Sequence, residues 1–376
     1  MQDLHDFLLP IDRLSLNDDN SFNDGQLGTH IISHEKQIPD ISDADVVLIG
    51  INEARGSGQK NNEFSSADAV RKELYQLHYW HKTVVLADWG NVVIGRDVAD
   101  SYAALKTVIR EILDAGKIAV VIGGSHDLTL AQYAVYKDLN RPIEAVCVDA
   151  LINLKGDSNL KSDHFLLDML TTEPNMVKHY NHIGFQSYFV HPRLLETMDK
   201  LRFDCYRLGI VKEDIDEMEP VFRNAHLASF DISAIKNSDA PANKISPNGF
   251  NGEEACRLSQ FAGQSTNINS FGIYGYDAHI DMHQLTAKQI AQMIWYFIDG
   301  VSKRQHEPDL NNLNHFNEFH TFFSEIDTLF LQSKRSGRWW MQLPDKQFIA
   351  CSQKDYVKAS NNQIPERWMR YVERSL

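Results

Sequence analysis

Eight short apolar runs rich in β-branched residues recur along this chain, with helical patterns between them. They are ADVVLIGI (44–51), TVVLADW (83–89), IAVVIGG (118–124), EAVCVDA (144–150), NHIGF (181–185), YRLGI (206–210), HLASFDI (226–232) and NSFGIYGY (269–276). Strands that are apolar at nearly every position are buried on both faces, which antiparallel sheets with one wet face do not require. The intervening segments include DVADSYAALKTVIREILDAG (97–116), closed by Gly116, and HPRLLETMDKLRF (191–203), both with helical spacing of apolar residues. Strand alternating with helix predicts a three-layer α/β/α domain around a mostly parallel sheet of about eight strands.

The chain of 376 residues is long enough for one large α/β domain with an appendage. The helical pattern TAKQIAQMIWYFIDGVSKR gives way to the polar stretch QHEPDLNNLNHFNE, which places the main boundary near residue 305. The organisation expected is an N-terminal arm (1–40), an α/β domain (41–305) and a C-terminal extension (306–376). Residues 331–376 carry nine Lys/Arg against four Asp/Glu, a local charge of +5, and the tryptophans Trp339, Trp340 and Trp368. Basic and aromatic residues together can bind single-stranded nucleic acid. The whole chain, however, has a formal net charge of -14, so the extension is expected to dock on its own body or on a sister subunit.

That acidic balance argues against nucleic acid as a partner, and nothing in the sequence suggests a membrane-surface patch. The N-terminus MQDLHDFLLPIDRL lacks a basic region followed by an apolar one, and the longest apolar stretches are too short to span a bilayer. A cytoplasmic, homo-oligomeric protein with a small-molecule ligand is the expectation. Cys147, Cys205, Cys256 and Cys351 stand without CxxC spacing and read as core thiols.

In parallel α/β sheets chemistry collects at the carboxyl ends of strands. Here IAVVIGG runs into Ser125-His126-Asp127, EAVCV into Asp149-Ala150-Leu151-Ile152-Asn153, and HLASF into Asp231-Ile232-Ser233. Each residue taken singly has a structural role open to it: Ser125 or Asp127 could cap the following helix, and an Asp at a strand end often fixes a turn. Their order and spacing together resemble the ureohydrolases, the superfamily of arginase, agmatinase and formimidoylglutamase, whose motifs there read GGDH, DAHxD and SxDxDxxDP. SADAVRKELYQL, HIGFQS and APANKISPNGFNGEEACRL are similar to further landmarks of that family, so the resemblance covers roughly residues 40 to 305.

The resemblance implies that His126 ligates a first manganese and that Asp149 and Asp231 bridge two metals. It also marks departures. Leu151 stands where a histidine unique to the second metal belongs, Asn153 where the first metal has a carboxylate, and Ser233 where the second metal has an acid. Gly275 replaces the glutamate that holds the substrate's guanidinium or formimino end. His126, Asp149, Asp231 and Asn153 could hold one Mn2+ or another divalent ion at a weakened site, or the site could stay without metal. The ordinary reaction needs two metals to present hydroxide, so the expectation is a catalytically inactive protein with a binding or assembly role. The alternatives are a one-metal hydrolase of C–N bonds in a formimino or amidino compound, and an interaction protein acting through its basic tail. Asp277-Ala278-His279-Ile280-Asp281 also matches DAHxD formally, but it follows the last core strand and reads as a surface loop.

Overall fold

A computed structural model describes residues 4–17, 21–61 and 65–375. The central sheet is built from β1 (Leu8–Leu9), β2 (Ile32–Ser33), β3 (Val46–Ile51), β4 (Leu86–Val92), β5 (Ile118–Ile122), β6 (Ile143–Val148), β7 (Val177–Phe185), β8 (Asp204–Arg207), β9 (Leu227–Asp231) and β10 (Ser270–Tyr274). Their order is β1-β4-β3-β5-β10-β9-β6-β7-β8, with β2 beside β4. Only β1 runs antiparallel to its neighbour in this sheet. The eight longer strands are the expected parallel core, and the N-terminal arm supplies two short additions at the β4 edge.

All six residues of β3 and all five of β5 are buried, as near-continuous apolar strands require when helices cover both faces. One apolar layer joins Val46, Leu48, Val120 and Phe230 to the helices Ser66–Gln76, Gly252–Gln264 and Leu285–Ser302. The other face packs Val47, Ile49 and Val121 against Leu105, Val108 and Ile112 of the helix Val98–Asp114. That helix starts at a capping box between Asp97 and Asp100. The helix Gly252–Gln264 starts at another, formed by Asn251 and Glu254.

The run YRLGI is strand only through Arg207; Leu208–Glu213 is helical. β8 is the last strand of its edge, so Leu208 and Val211 reach the core from a helix rather than by further pairing. The polar stretch after residue 304 is likewise not all connection, because Phe316–Glu318 already belong to a strand.

Beyond the parallel domain, β11 (Phe316–Phe323), β12 (Ile326–Ser333), β13 (Trp339–Gln342) and β14 (Phe348–Cys351) form a separate antiparallel sheet in that order. One face buries Phe323, Phe330, Trp339, Met341 and Trp368, and the other buries Trp340 with Phe316 and Leu331. Arg223 of the parallel domain donates to the Trp339 carbonyl at 2.7 Å, with its guanidinium 4.7 Å from the centre of the Trp340 ring. The C-terminal helix Glu366–Ser375 is tied down by ion pairs: Arg367 with Glu217 at 2.8 Å, Arg370 with Asp199 at 2.5 Å and Arg374 with Asp204 at 2.8 Å. These basic side chains of the extension face acidic partners on the body. No helix among the described residues is long and apolar enough to cross a membrane.

Candidate metal centre

Four adjacent strands, β5, β10, β9 and β6, bring their carboxyl ends to one place. The chain leaves β5 through Gly123 and Gly124. At Gly124 φ is +77°, and a Cβ there would lie 2.2 Å from Leu128 Cδ1 and 2.9 Å from the Glu53 carbonyl oxygen. Glycine thus permits the tight turn that delivers His126 at the head of a short 3-10 turn, His126–Leu128. Ser125 occupies the cap position of that turn but its side chain makes no capping bond.

His126 is buried, its ring stacked on Tyr274 and 4.7 Å from the Phe165 ring. Its Nδ1 lies 2.8 Å from Asp149 Oδ2 and 3.6 Å from Asp231 Oδ2, so one ring nitrogen addresses both carboxylates. The Nε2 points the other way, 3.2 Å from Ser229 Oγ and 3.7 Å from Cys147 Sγ. Asp149 Oδ1 accepts from the Leu151 backbone N–H at 2.9 Å and from the Ser233 hydroxyl at 2.7 Å. Asp231 Oδ1 accepts from the Ser233 N–H at 2.8 Å. Ser233 therefore spends its proton on the neighbouring carboxylate.

Asn153 is buried and donates through Nδ2 to the Ser162 carbonyl at 2.7 Å, while its Oδ1 has no partner. Gly275 sits at φ +80°, where a Cβ would be 2.6 Å from Asp231 Oδ2. A side chain at this position collides with the carboxylate of Asp231, so glycine lets that acid take its place. The crevice beside Gly275, lined also by Ser125, Tyr276 and Asp277, has a volume of about 30 Å³.

The electrostatics follow from two acids and an imidazole taken out of water. Burial disfavours charge on His126, but Cys147 and Asp149 outweigh it and hold its pKa well above the usual histidine range. Burial also works against Asp149, yet the hydrogen bond and charge of His126 hold that carboxyl below its ordinary value. Asp231 goes the opposite way. Burial and then the Asp149 charge push it up to about 6. Both carboxylates are thus served by a single imidazole nitrogen.

A family model described as the arginase family matches residues 44–299. The chain belongs to the arginase family. A formimidoylglutamase from Hahella chejuensis is 28% identical over 146 residues, which are 36% of this chain and 44% of that protein, so the match spans less than half of the relative. The formimidoylglutamase of Bacillus subtilis superposes with a TM-score of 0.67 at 16% identity, covering 77% of this chain and 97% of that one. The formiminoglutamase of Trypanosoma cruzi, solved with Mn2+, gives 0.66 at 16% identity over 75% and 100% of the two chains. An agmatine ureohydrolase from Thermoplasma volcanium gives 0.60 at 20% identity, covering 76% and 97%. At such identities these structures establish the arginase fold.

Within this arginase-family site, sequence reading overlooked Cys147. It is the buried core thiol that its strand position implies, and in addition ligand atoms of His126, Cys147 and Asp149 all lie within 4.8 Å of one another. The signal was the strand period of two, which puts residue 147 on the face of residue 149. Burial would raise the thiol, but His126 and His182 bring it down to about 6. The second DAHxD match lies apart from the cluster: Asp277 caps the His279 N–H, and Asp281 accepts from the N–H groups of Thr286 and Ala287 at the head of the next helix.

Proposed function

We infer that this arginase-family chain lacks a complete binuclear manganese site, does not carry out the usual ureohydrolase reaction, and serves as a binding or assembly component. The observation that carries the reading is Ser233. At a position where the family uses a second acid, its hydroxyl donates to Asp149 Oδ1 at 2.7 Å. The neighbouring Leu151 offers only its backbone N–H to the same oxygen. A second metal would need lone pairs from both places and finds a hydroxyl already committed and an aliphatic chain.

The residues that are present fit one divalent ion. His126 Nδ1, Asp149 Oδ2 and Asp231 Oδ2 face one another, and the orphaned Asn153 Oδ1 is a neutral oxygen left without a partner. Asp231, pushed up to about 6 by burial and by Asp149, would gain from a positive charge. Such an ion would supply Lewis acidity at these carboxylates. His126 and the two aspartates would orient it, while Gly275 offers no group to a guanidinium.

A one-metal hydrolase of formimino or amidino compounds is the second reading, favoured by the same intact donor set. Homo-oligomerisation and a cytoplasmic location belong to the proposal as well. Metal analysis of protein purified without chelators, paired with assays for hydrolysis of arginine, agmatine and a formimino amino acid, separates the readings. One metal or none with no turnover supports the leading reading. Two metals per chain, or turnover that Asp149→Ala abolishes, overturns it, and turnover with a single metal selects the second.

A further inference from the structure

A second concavity lies at the opposite end of the sheet, where the amino ends of β6, β7 and β8 meet the C-terminal helix Glu366–Ser375. It encloses about 720 Å³, within the roughly 300–1,000 Å³ typical of small-molecule sites. Strand pairing sets its floor: Glu144 is in register with His179, Val146 with Asn181, Asn181 with Asp204, and Ile183 with Tyr206. Residues in register on parallel strands share a face, so Glu144, Asn181 and Tyr206 are presented to the same side of the sheet.

These three side chains are uncommitted. Asn181 is only 4% exposed, yet its amide has no hydrogen-bond partner among the described residues; the Glu144 carboxylate and the Tyr206 hydroxyl have none either. None of their polar atoms is among the sealed, unpartnered ones of the interior, and all three residues line the cavity. What remains accessible on Asn181 is thus its amide, and it opens into this space.

Lys178, Lys354, Lys358 and three arginines line the cavity; Lys354 pairs with Asp214, and the arginines are engaged as well. Arg367 pairs with Glu217 and Asp355, Arg370 with Asp199, and Arg374 with Asp204. Asp204 is also 3.1 Å from His179 Nε2. Glu144 is left as the floor's free charge. Burial raises its pKa, while His179, Lys178 and Arg374 pull the other way without cancelling the effect. Ile210, Met218, Pro220, Val221 and Ile349 give the lining an apolar part, beside charged residues that include Glu213, Lys354, Lys358 and Glu366.

We propose that this cavity binds a small organic cation, an amine or amidine carried on an apolar body, whose charged head sits on Glu144 with Asn181 and Tyr206 as flanking hydrogen-bond partners. A carboxylate, an amide oxygen and a phenol together accept the several N–H donors of such a head, and the apolar part of the lining takes the rest. The site is separate from the strand-end metal centre, because Glu144 opens β6 and Asp149 follows its far end.

Benzamidine is a suitable probe and benzamide its neutral counterpart, titrated calorimetrically into the full chain. Saturable binding of benzamidine is expected. A charged hydrogen bond worth about 1.5–3 kcal/mol predicts at least about ten-fold weaker binding of benzamide, and the same loss for benzamidine with Glu144→Gln. Asn181→Ala should weaken it too, and Asp149→Asn should leave it unchanged. Melting temperatures of the variants show whether each is folded, and Asn181→Ala provides an independent reading if Glu144→Gln is not. Absence of saturation by about 10 mM benzamidine overturns the proposal. So does binding that survives both cavity substitutions, or binding that only Asp149→Asn removes.

Discussion

Ser233→Asp places a carboxylate at the strand end after β9, and in metal-free protein it should be strongly destabilising. In the parent, the Ser233 hydroxyl is buried and donates to Asp149 Oδ1 at 2.7 Å. Losing a donor to a charged acceptor costs about 1.5–3 kcal/mol. Two unit charges about 4 Å apart repel by about 4 kcal/mol at an effective dielectric constant of about 20. Protonation of one acid would relieve part of this, the direction in which Asp231 is already pushed, up to about 6. Ser233→Ala removes this hydrogen bond and the long one that the hydroxyl accepts from the Ala150 N–H at 3.5 Å, without adding a charge, so it approximates the first contribution. Urea denaturation in EDTA should therefore rank the parent above Ser233→Ala, and Ser233→Asp lowest. Mn2+ should then reorder them. Ligand at a hundred times its Kd adds about 2.7 kcal/mol per site, and Ser233→Asp supplies a new anionic donor, so its gain should exceed that of the other two. If Ser233→Asp is as stable as the parent in EDTA and gains no more from Mn2+, the placement of Ser233 against Asp149 is wrong.

Three further outcomes follow from particular contacts. In metal-free protein Asp231, with a folded pKa of about 6 against an ordinary 3.8, holds its proton more tightly when folded. Stability should therefore rise as pH falls from about 6 toward 4, by at most about 3 kcal/mol for the two-unit shift. Asp231→Asn should be the more stable protein in EDTA near neutral pH and lose that advantage near pH 4; a pH-independent difference between the two denaturation series would contradict this. Gly275→Ala should cost more than the ~1–2 kcal/mol of a left-handed residue, because its Cβ meets Asp231 Oδ2 at 2.6 Å, and it should also weaken Mn2+ uptake in calorimetric titration. Unchanged stability would show that Asp231 does not occupy this place. Arg223→Ala removes a 2.7 Å bond to the Trp339 carbonyl, the cation over Trp340 and the ion pair with Glu219, a loss of at least about 3 kcal/mol, and should make the C-terminal sheet the first region cut in limited proteolysis. A digestion pattern identical to the parent's would rule that out.

Short-range patterning announced the parallel core, because a strand buried on both faces has to be apolar at almost every position, as Val46–Ile51 and Ile118–Ile122 are. It also announced which residues stand at the strand ends, since His126, Asp149 and Asp231 follow apolar runs directly. The C-terminal sheet escaped notice for a local reason. Its first hairpin turns through Ser324 and Glu325 at φ +47° and +66°, where an Asn-Gly or Asp-Gly pair would have given the turn away.

What the sequence by itself determined is thus the alternation of strand and helix, the kinship with the arginase family, and the list of side chains available at the strand ends. Tertiary structure alone decided what those side chains do. Ser233 and Asp149 are 84 positions apart and become donor and acceptor only because β6 and β9 are neighbours. Gly275 matters because β10 lies against β9 and brings its backbone onto Asp231. Glu144, Asn181 and Tyr206 share a face only through the pairing of β6, β7 and β8 under a distant helix. Periodicity is a property of neighbours along the chain, whereas a coordination set or a cavity depends on which strands pair and in what register, and that is fixed only when the whole core packs.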